Sequence, residues 1–138
     1  MGNKNSYQKI NFEDVKYSFN KPNYIMINTL PESEQEYLIS GTIPCSQEER
    51  IINHLISNVE NKNIIIYGKN SNDETIYNKY DQLKKLGIIN IYIYSGGLFE
   101  WSLLQDIYTS DNFPTTCECP DILKFKPLSA ISLQYIES

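Results

Sequence analysis

The chain has few side chains that could act as nucleophiles or bind a metal. Its three cysteines are Cys45, Cys117 and Cys119, and its single histidine is His54. A zinc site usually needs four ligands, and Cys117-x-Cys119 supplies only two, so we expect neither a metal nor another cofactor. Ser71 would need a neighbouring base to act as a nucleophile, and no histidine lies near it in sequence. The three thiols therefore remain as the candidate nucleophiles.

Composition and charge exclude several classes of protein. The 138 residues fit one domain, and 41% hydrophobic with 21% charged residues is a normal globular balance. The net charge of −5 and the lack of a basic patch exclude a general nucleic-acid binder. No apolar run approaches the ~20 residues of a membrane span, and the N-terminus lacks a signal-peptide core. We therefore expect a cytoplasmic protein with reduced thiols.

The N-terminal hexapeptide carries a possible lipidation signal. Met1-Gly2-Asn3-Lys4-Asn5-Ser6 fits the N-myristoylation pattern, in which Gly2 is acylated after Met1 is removed. One myristoyl chain binds membranes only marginally, and Lys4 and Lys9 make a poor polybasic second signal. The sequence therefore predicts weak, conditional membrane contact through Gly2.

Apolar runs alternate with amphipathic segments along the chain. Continuous apolar runs predict buried strands, and stripes at helical spacing predict helices. Predicted strands cover residues 24–27, 42–44, 64–67 and 88–94, and predicted helices follow Ser46, follow Glu74 and cover 98–108. Such alternation is typical of an α/β domain with a mainly parallel sheet flanked by helices.

Two capping boxes are predicted at helix starts. Ser46 with Glu49, and Ser71 with Glu74, have the spacing at which a serine oxygen accepts from a free amide and the glutamate reaches back. Ser71 is thus better explained as a cap than as a nucleophile. At the other end of its helix, Gly87 suits the left-handed C-terminal position.

Three segments, in order along the chain, resemble the rhodanese family. The most specific is "GGLFEW", and "EYLISGTIP" and the strand "NIIIYG" support it. The matching residues are Glu36, Tyr37, Gly41, Ile43, Pro44, Gly96, Gly97, Glu100 and Trp101. The resemblance covers roughly residues 10–127 and implies a three-layer rhodanese-like α/β fold. We expect a single domain over residues 10–138, after a flexible segment at 1–9. The C-terminal part is similar to compact rhodanese-like proteins of large DNA viruses and some protists. Trp101 is expected in the core.

The chain departs from the family at the catalytic position. Active members carry a cysteine after the second long strand, and its thiolate carries sulfur as a persulfide; Gly68 stands there. The resemblance therefore implies a vestigial loop made of Gly68, Lys69, Asn70, Ser71, Asn72 and Asp73. Asn28 and Thr42 likewise replace ionisable residues of the family. Loop amides could still bind an anion with help from Lys69, but Asp73 and Glu74 oppose it.

Three hypotheses follow. In the first, the chain is an inactive rhodanese-like domain that binds a protein partner. In the second, it is a sulfurtransferase or phosphatase-like enzyme that uses a relocated thiol at Cys45, Cys117 or Cys119. In the third, it is a structural subunit whose tail, around Phe125 and residues 128–136, packs on a partner chain. The sequence leaves the partner and the oligomeric state open.

Overall fold

The apolar runs of the sequence form a parallel sheet in the computed structural model, which describes residues 6–131. Five strands pair in the order β1-β5-β4-β2-β3, and every pairing is parallel. The strands are β1 (Lys9–Ile10), β2 (Tyr24–Asn28), β3 (Thr42–Ile43), β4 (Asn63–Tyr67) and β5 (Ile91–Tyr94). The central strand β4 is buried on both faces, with Ile64, Ile65, Ile66 and Tyr67 at most 1% exposed. Its unbroken apolar run follows from that position.

Four helices cover the two faces of the sheet. They are α1 (Phe12–Ser18), α2 (Cys45–Ser57), α3 (Thr75–Lys85) and α4 (Gly97–Tyr108), and short 3₁₀ turns lie at Glu32–Glu34 and Ile122–Phe125. One apolar cluster joins α1 and α4 to the sheet, and the other joins α2 and α3 to the opposite face. This is the predicted three-layer α/β fold, with Trp101 fully buried in the first cluster.

Neither predicted capping box forms. Helix α2 begins at Cys45, one residue before Ser46, and the Oε1 atom of Gln35 accepts from the Cys45 amide at 2.9 Å. Helix α3 begins at Thr75, and the Oδ1 atom of Asp73 accepts from the Thr75 amide at 3.0 Å. Ser71 lies before the helix in a tight turn. The start of α2 is thus capped by a distant side chain, and the start of α3 by an aspartate two residues before it.

The C-terminus of α3 shortens the strand that follows. Gly87 has φ +97°, its amide donates to Lys84 O at 3.0 Å, and the Ile88 amide donates to Leu83 O at 3.2 Å. This is a Schellman motif, and it confirms the predicted role of Gly87. Because Ile88 is held in the motif, β5 begins at Ile91 and not at the predicted residue 88.

The N-terminal segment, as far as it is described, contacts the sheet and a helix. Lys9 belongs to β1, and the Tyr7 ring packs on Tyr77 and Tyr80, so residues 7–9 are part of the domain rather than a flexible segment. Gly2 and most of the tail at 128–136 lie outside the described residues. Within residues 6–131, no helix has both the length and the apolar character to cross a membrane.

Candidate functional site

The loop at residues 68–73 lies at the carboxyl end of the central strand. Strand β4 ends at Tyr67, and α3 begins at Thr75. The neighbouring strand β2 continues into Thr29, whose amide donates to Tyr67 O at 3.0 Å. The carboxyl edge of a parallel sheet is where open α/β proteins place their sites. The sequence segment from Gly68 therefore sits where a functional loop is expected.

An aspartate fills the space beside the first loop residue. The Oδ2 atom of Asp73 accepts from the Lys69 amide at 2.8 Å, and Oδ1 accepts from the Thr75 amide and hydroxyl at 3.0 and 2.6 Å. A Cβ atom built on Gly68 would overlap the Asp73 carboxylate and lie 2.9 Å from Thr29 Oγ1. The direction in which a side chain at position 68 would point is thus taken by a carboxylate.

Asparagine side chains shape the rest of the loop. The Asn72 amide donates to Asn70 Oδ1 at 2.9 Å, and the Asp73 amide donates to Asn70 O at 3.1 Å. Such a turn, closed by the Asn70 side chain, brings Asp73 back over Gly68. Asn70 is 7% exposed, and its Nδ2 atom donates to Phe125 O at 2.9 Å. The loop is therefore tied to the C-terminal segment.

The Gly-Gly pair packs the start of α4 against the loop. Gly97 has φ +69°, and a Cβ atom there would lie 2.9 Å from both Asn70 N and Gly68 O. The Leu98 amide donates to Gly68 O at 3.0 Å, and the Phe99 amide donates to Lys69 O at 2.9 Å. Only glycine combines this backbone angle with so close an approach. The motif thus supports the loop backbone rather than supplying reactive groups.

Glu100 and Trp101 complete the structural role of the motif. The Glu100 Oε1 atom accepts from the Tyr94 hydroxyl at 2.5 Å and covers Gly96, where a Cβ atom would overlap its carboxylate. Burial, with this hydrogen bond as the next cause, raises the pKa of Tyr94. The Trp101 Nε1 atom donates to Pro114 O at 3.1 Å, which fixes the segment after α4.

Neutral hydrogen bonds occupy the two other positions at which the sequence departs from the family. Asn28, 2% exposed, forms a reciprocal amide pair with Gln35, at 2.9 and 3.0 Å. The Thr42 hydroxyl donates to Ile39 O at 2.6 Å and lies 2.8 Å from the Tyr67 hydroxyl, which also accepts from the Ile39 amide. Burial raises the pKa of Tyr67, so the phenol stays protonated at neutral pH. Both networks stabilise the loop's surroundings and provide no proton-transfer group near neutral pH.

None of the three thiols, all of which are described, lines the cavity beside the loop. Cys45 is half-buried at the start of α2, in a cavity with Glu48 and Lys79. Cys117 is exposed, with Sγ 3.6 Å from Glu36 O. Cys119 is half-buried against the first apolar cluster. Among residues 6–131, no group of three histidine, cysteine or acidic side chains is arranged to hold a metal.

Charged side chains surround the loop unevenly. The Lys69 Nζ atom lies 3.7 Å from Glu34 Oε1, an oxygen that is buried without a hydrogen bond. Ser71 and Asn72 are exposed at the tip of the loop. Lys124 and Lys126, on the C-terminal segment, line the same cavity as the loop. No sequence pattern placed these two lysines near the site, because Phe125 brings them there through the tertiary fold.

Comparisons with known proteins agree with this architecture. The family model for the rhodanese-like domain matches residues 12–104, which include the loop and the Gly-Gly pair. The crystal structure of the Alr3790 protein from Anabaena sp. is similar, with TM-score 0.52 and 17% identity, over 93% of this chain and 90% of that chain. The solution structure of the rhodanese-like domain of Alr3790 gives TM-score 0.55 and 19% identity, over 88% and 86%. No curated protein matches in sequence. The chain belongs to the rhodanese-like domain family.

Proposed function

We propose that this protein is a rhodanese-like binding domain that does not transfer sulfur. The observation that carries the proposal is Gly68 at the family's nucleophile position, with the Asp73 carboxylate over it. Sulfur transfer in the family proceeds through a cysteine persulfide. Glycine has no atom to hold that sulfur.

The electrostatics of the loop support the same proposal. A catalytic thiolate needs backbone amides and positive charge to stabilise it. Here the Lys69 and Thr75 amides already donate to Asp73, a fixed negative charge. A small anion entering at Gly68 would meet that carboxylate at close range. The donors of the loop thus stabilise an internal anion instead of a reaction intermediate.

The face around the loop is suited to a protein partner. Asn70 joins the loop to Phe125, and α4 donates two amides to the loop backbone, so the face is held in one conformation. A face that is ordered before binding loses less conformational entropy on association. We assign the binding role to this face and propose that the protein acts in the cytoplasm.

Weak membrane contact through an acylated Gly2 is a separate part of the proposal. Its support is the N-terminal hexapeptide alone. Intact-mass analysis after co-expression with an N-myristoyltransferase tests it. Recovery of a fully unmodified N-terminal glycine would exclude the lipid.

Transfer of sulfur from thiosulfate to cyanide, which forms thiocyanate and leaves sulfite, tests the main proposal. The wild-type chain should show no more activity than a variant in which Cys45, Cys117 and Cys119 are all serine. Activity of the wild type clearly above that variant would favour a relocated thiol. Single Cys→Ser substitutions would then identify which cysteine carries the sulfur.

A further inference from the structure

A cavity of about 480 Å³ lies between the loop and the C-terminal segment. Thr29, Asn72, Asp73 and Thr75 line it from the side of the loop, and Lys124 and Lys126 line it from the C-terminal segment. The lining thus combines hydroxyl and amide groups and one carboxylate with the side chains of two lysines.

The two lysines are the cations of this cavity without a local countercharge. Among residues 6–131, no carboxylate oxygen lies within the 4.0 Å ion-pair limit of either Nζ atom. Asp73 is satisfied by two amides and a hydroxyl, and Lys69 is opposed by Glu34. In a chain of net charge −5, this is a local excess of positive charge.

Packing around Phe125 fixes the segment that carries both lysines. Phe125 is 2% exposed and stacks on Tyr37, with ring centroids 5.5 Å apart and an interplanar angle of 23°. Its carbonyl oxygen accepts from Asn70. Because Lys124 and Lys126 flank Phe125 in sequence, their backbone positions follow from these contacts. This segment lies beyond residues 12–104, which the family model matches.

An adjoining cavity shows where an anion would be repelled. It measures about 180 Å³, shares Lys124, and is lined by Glu34, Glu36 and Glu118. Three carboxylates there disfavour a negative ligand. The loop-side cavity is lined by both lysines and by one carboxylate, Asp73, so it disfavours an anion less than the adjoining cavity does.

We propose that the cavity between Lys124 and Lys126 and the loop binds the phosphate group of a phosphomonoester. Such a group carries about −1.5 to −2 charges at pH 7. It therefore balances the charge of two lysines without a carboxylate partner better than a ligand with a single carboxylate would. The Thr29 hydroxyl, which accepts from Thr75, and the side-chain amide of Asn72 line the same cavity as candidate donors to its oxygens. The ligand is either a free phosphomonoester or a phosphorylated side chain of a partner. This inference rests on the proposed binding function.

Calorimetric titration of the full chain tests the site with three probes: glycerol phosphate, a phosphoserine peptide and the same peptide without phosphate. The double variant K124A/K126A is compared with K84A/K85A, which removes two exposed lysines from the last turn of α3 and changes the net charge equally. We expect a phosphorylated probe to bind wild type and K84A/K85A alike, and K124A/K126A at least about tenfold more weakly. Binding of the peptide alone would assign the site to a modified partner, and comparable binding of glycerol phosphate to a small ligand.

Two results would overturn the inference: no binding of either phosphorylated probe to the wild type, or equal binding by both double variants. Tighter or equal binding of the unphosphorylated peptide would also overturn it. The thiocyanate assay on the same preparations is independent of these results. Sulfur transfer by the wild type would refute the proposed function whether or not phosphate binds.

Discussion

The contact between Gly68 and Asp73 makes a quantitative prediction about stability. Gly68 lies outside the left-handed φ region, so an alanine there would ordinarily stabilise the fold by about 0.4–1 kcal/mol through the unfolded chain. Its methyl group would instead displace the Asp73 carboxylate. The displaced group loses three hydrogen bonds, worth about 1 kcal/mol each. We therefore expect G68A to lower the free energy of unfolding by about 2 kcal/mol.

A double-mutant cycle isolates this effect. D73A removes the same three hydrogen bonds and should cost about 2–3 kcal/mol, but it also opens the space beside Gly68. In that background, G68A should change the free energy of unfolding by no more than about 0.5 kcal/mol. The coupling energy between the two positions is then about 1.5–2.5 kcal/mol.

Urea unfolding of the four proteins measures the cycle. Trp101 is the single tryptophan and is fully buried, so its fluorescence reports global unfolding. D73N, which retains one acceptor oxygen, should fall between wild type and D73A. A coupling below about 0.5 kcal/mol would show that the carboxylate does not occupy the space beside Gly68 and would refute the description of the loop.

Two further predictions concern the motif glycine and the buried phenols. G97A should destabilise the fold by about 2–4 kcal/mol, since it adds a clash with the loop backbone to the strain of a left-handed residue. In the control G41A, the residue has φ +88° but no atom lies within 4 Å of the new Cβ, so the cost should be only about 1–2 kcal/mol. Equal losses of stability in urea unfolding would contradict the contact between Gly97 and the loop. Burial raises the pKa of Tyr67 and Tyr94 in the folded state, so the unfolded chain loses these phenol protons first as the pH rises. The stability linked to the two protonated phenols is therefore fully present below about pH 10 and is lost above it. Burial raises the pKa of Tyr37 in the same way. Each phenol that stays protonated in the folded protein should lower the free energy of unfolding by about 1.4 kcal/mol per pH unit there, Y94F should reduce the total slope by that amount, and a slope unchanged by Y94F would contradict the assignment.

The sequence predicted those elements whose apolar pattern is strong. The run Ile64–Tyr67 has apolar residues on both faces of a central strand, and the parallel pairing of this buried strand with both neighbours confirms the predicted sheet. The predicted burial of Trp101 is also confirmed, because a single tryptophan in an apolar helix has few alternatives to the core. These features depend on side-chain type at regular spacing, which a single sequence displays directly.

The sequence could not predict contacts between distant segments. Gln35 caps α2 from ten residues away, although Ser46 and Glu49 have the local spacing of a capping box. Asp73 caps α3 from two residues before Thr75, but the contact of its other carboxylate oxygen with the Lys69 amide depends on the Asn70 turn and on the packing of Gly97 against the loop. Tertiary packing thus selected among several locally possible caps.

The site itself was predicted in part. The loop from Gly68 was identified by its place after β4, and the opposition between Asp73 and an external anion was expected from charge. The hydrogen bonds to Asp73 were not predicted, because they require the Lys69 amide, the Thr75 amide and the Thr75 hydroxyl to converge on one carboxylate. Lys124 and Lys126 were not foreseen either, because 55 residues separate Asn70 from its partner Phe125.

Intact-mass analysis after incubation with thiosulfate tests the central claim most directly. A persulfide adds one sulfur atom to the protein, and dithiothreitol removes it. The account predicts that wild-type chain keeps its unmodified mass, while a positive-control rhodanese gains one reducible sulfur under the same conditions. A reducible sulfur on the wild-type chain, absent when Cys45, Cys117 and Cys119 are replaced by serine, would contradict the account.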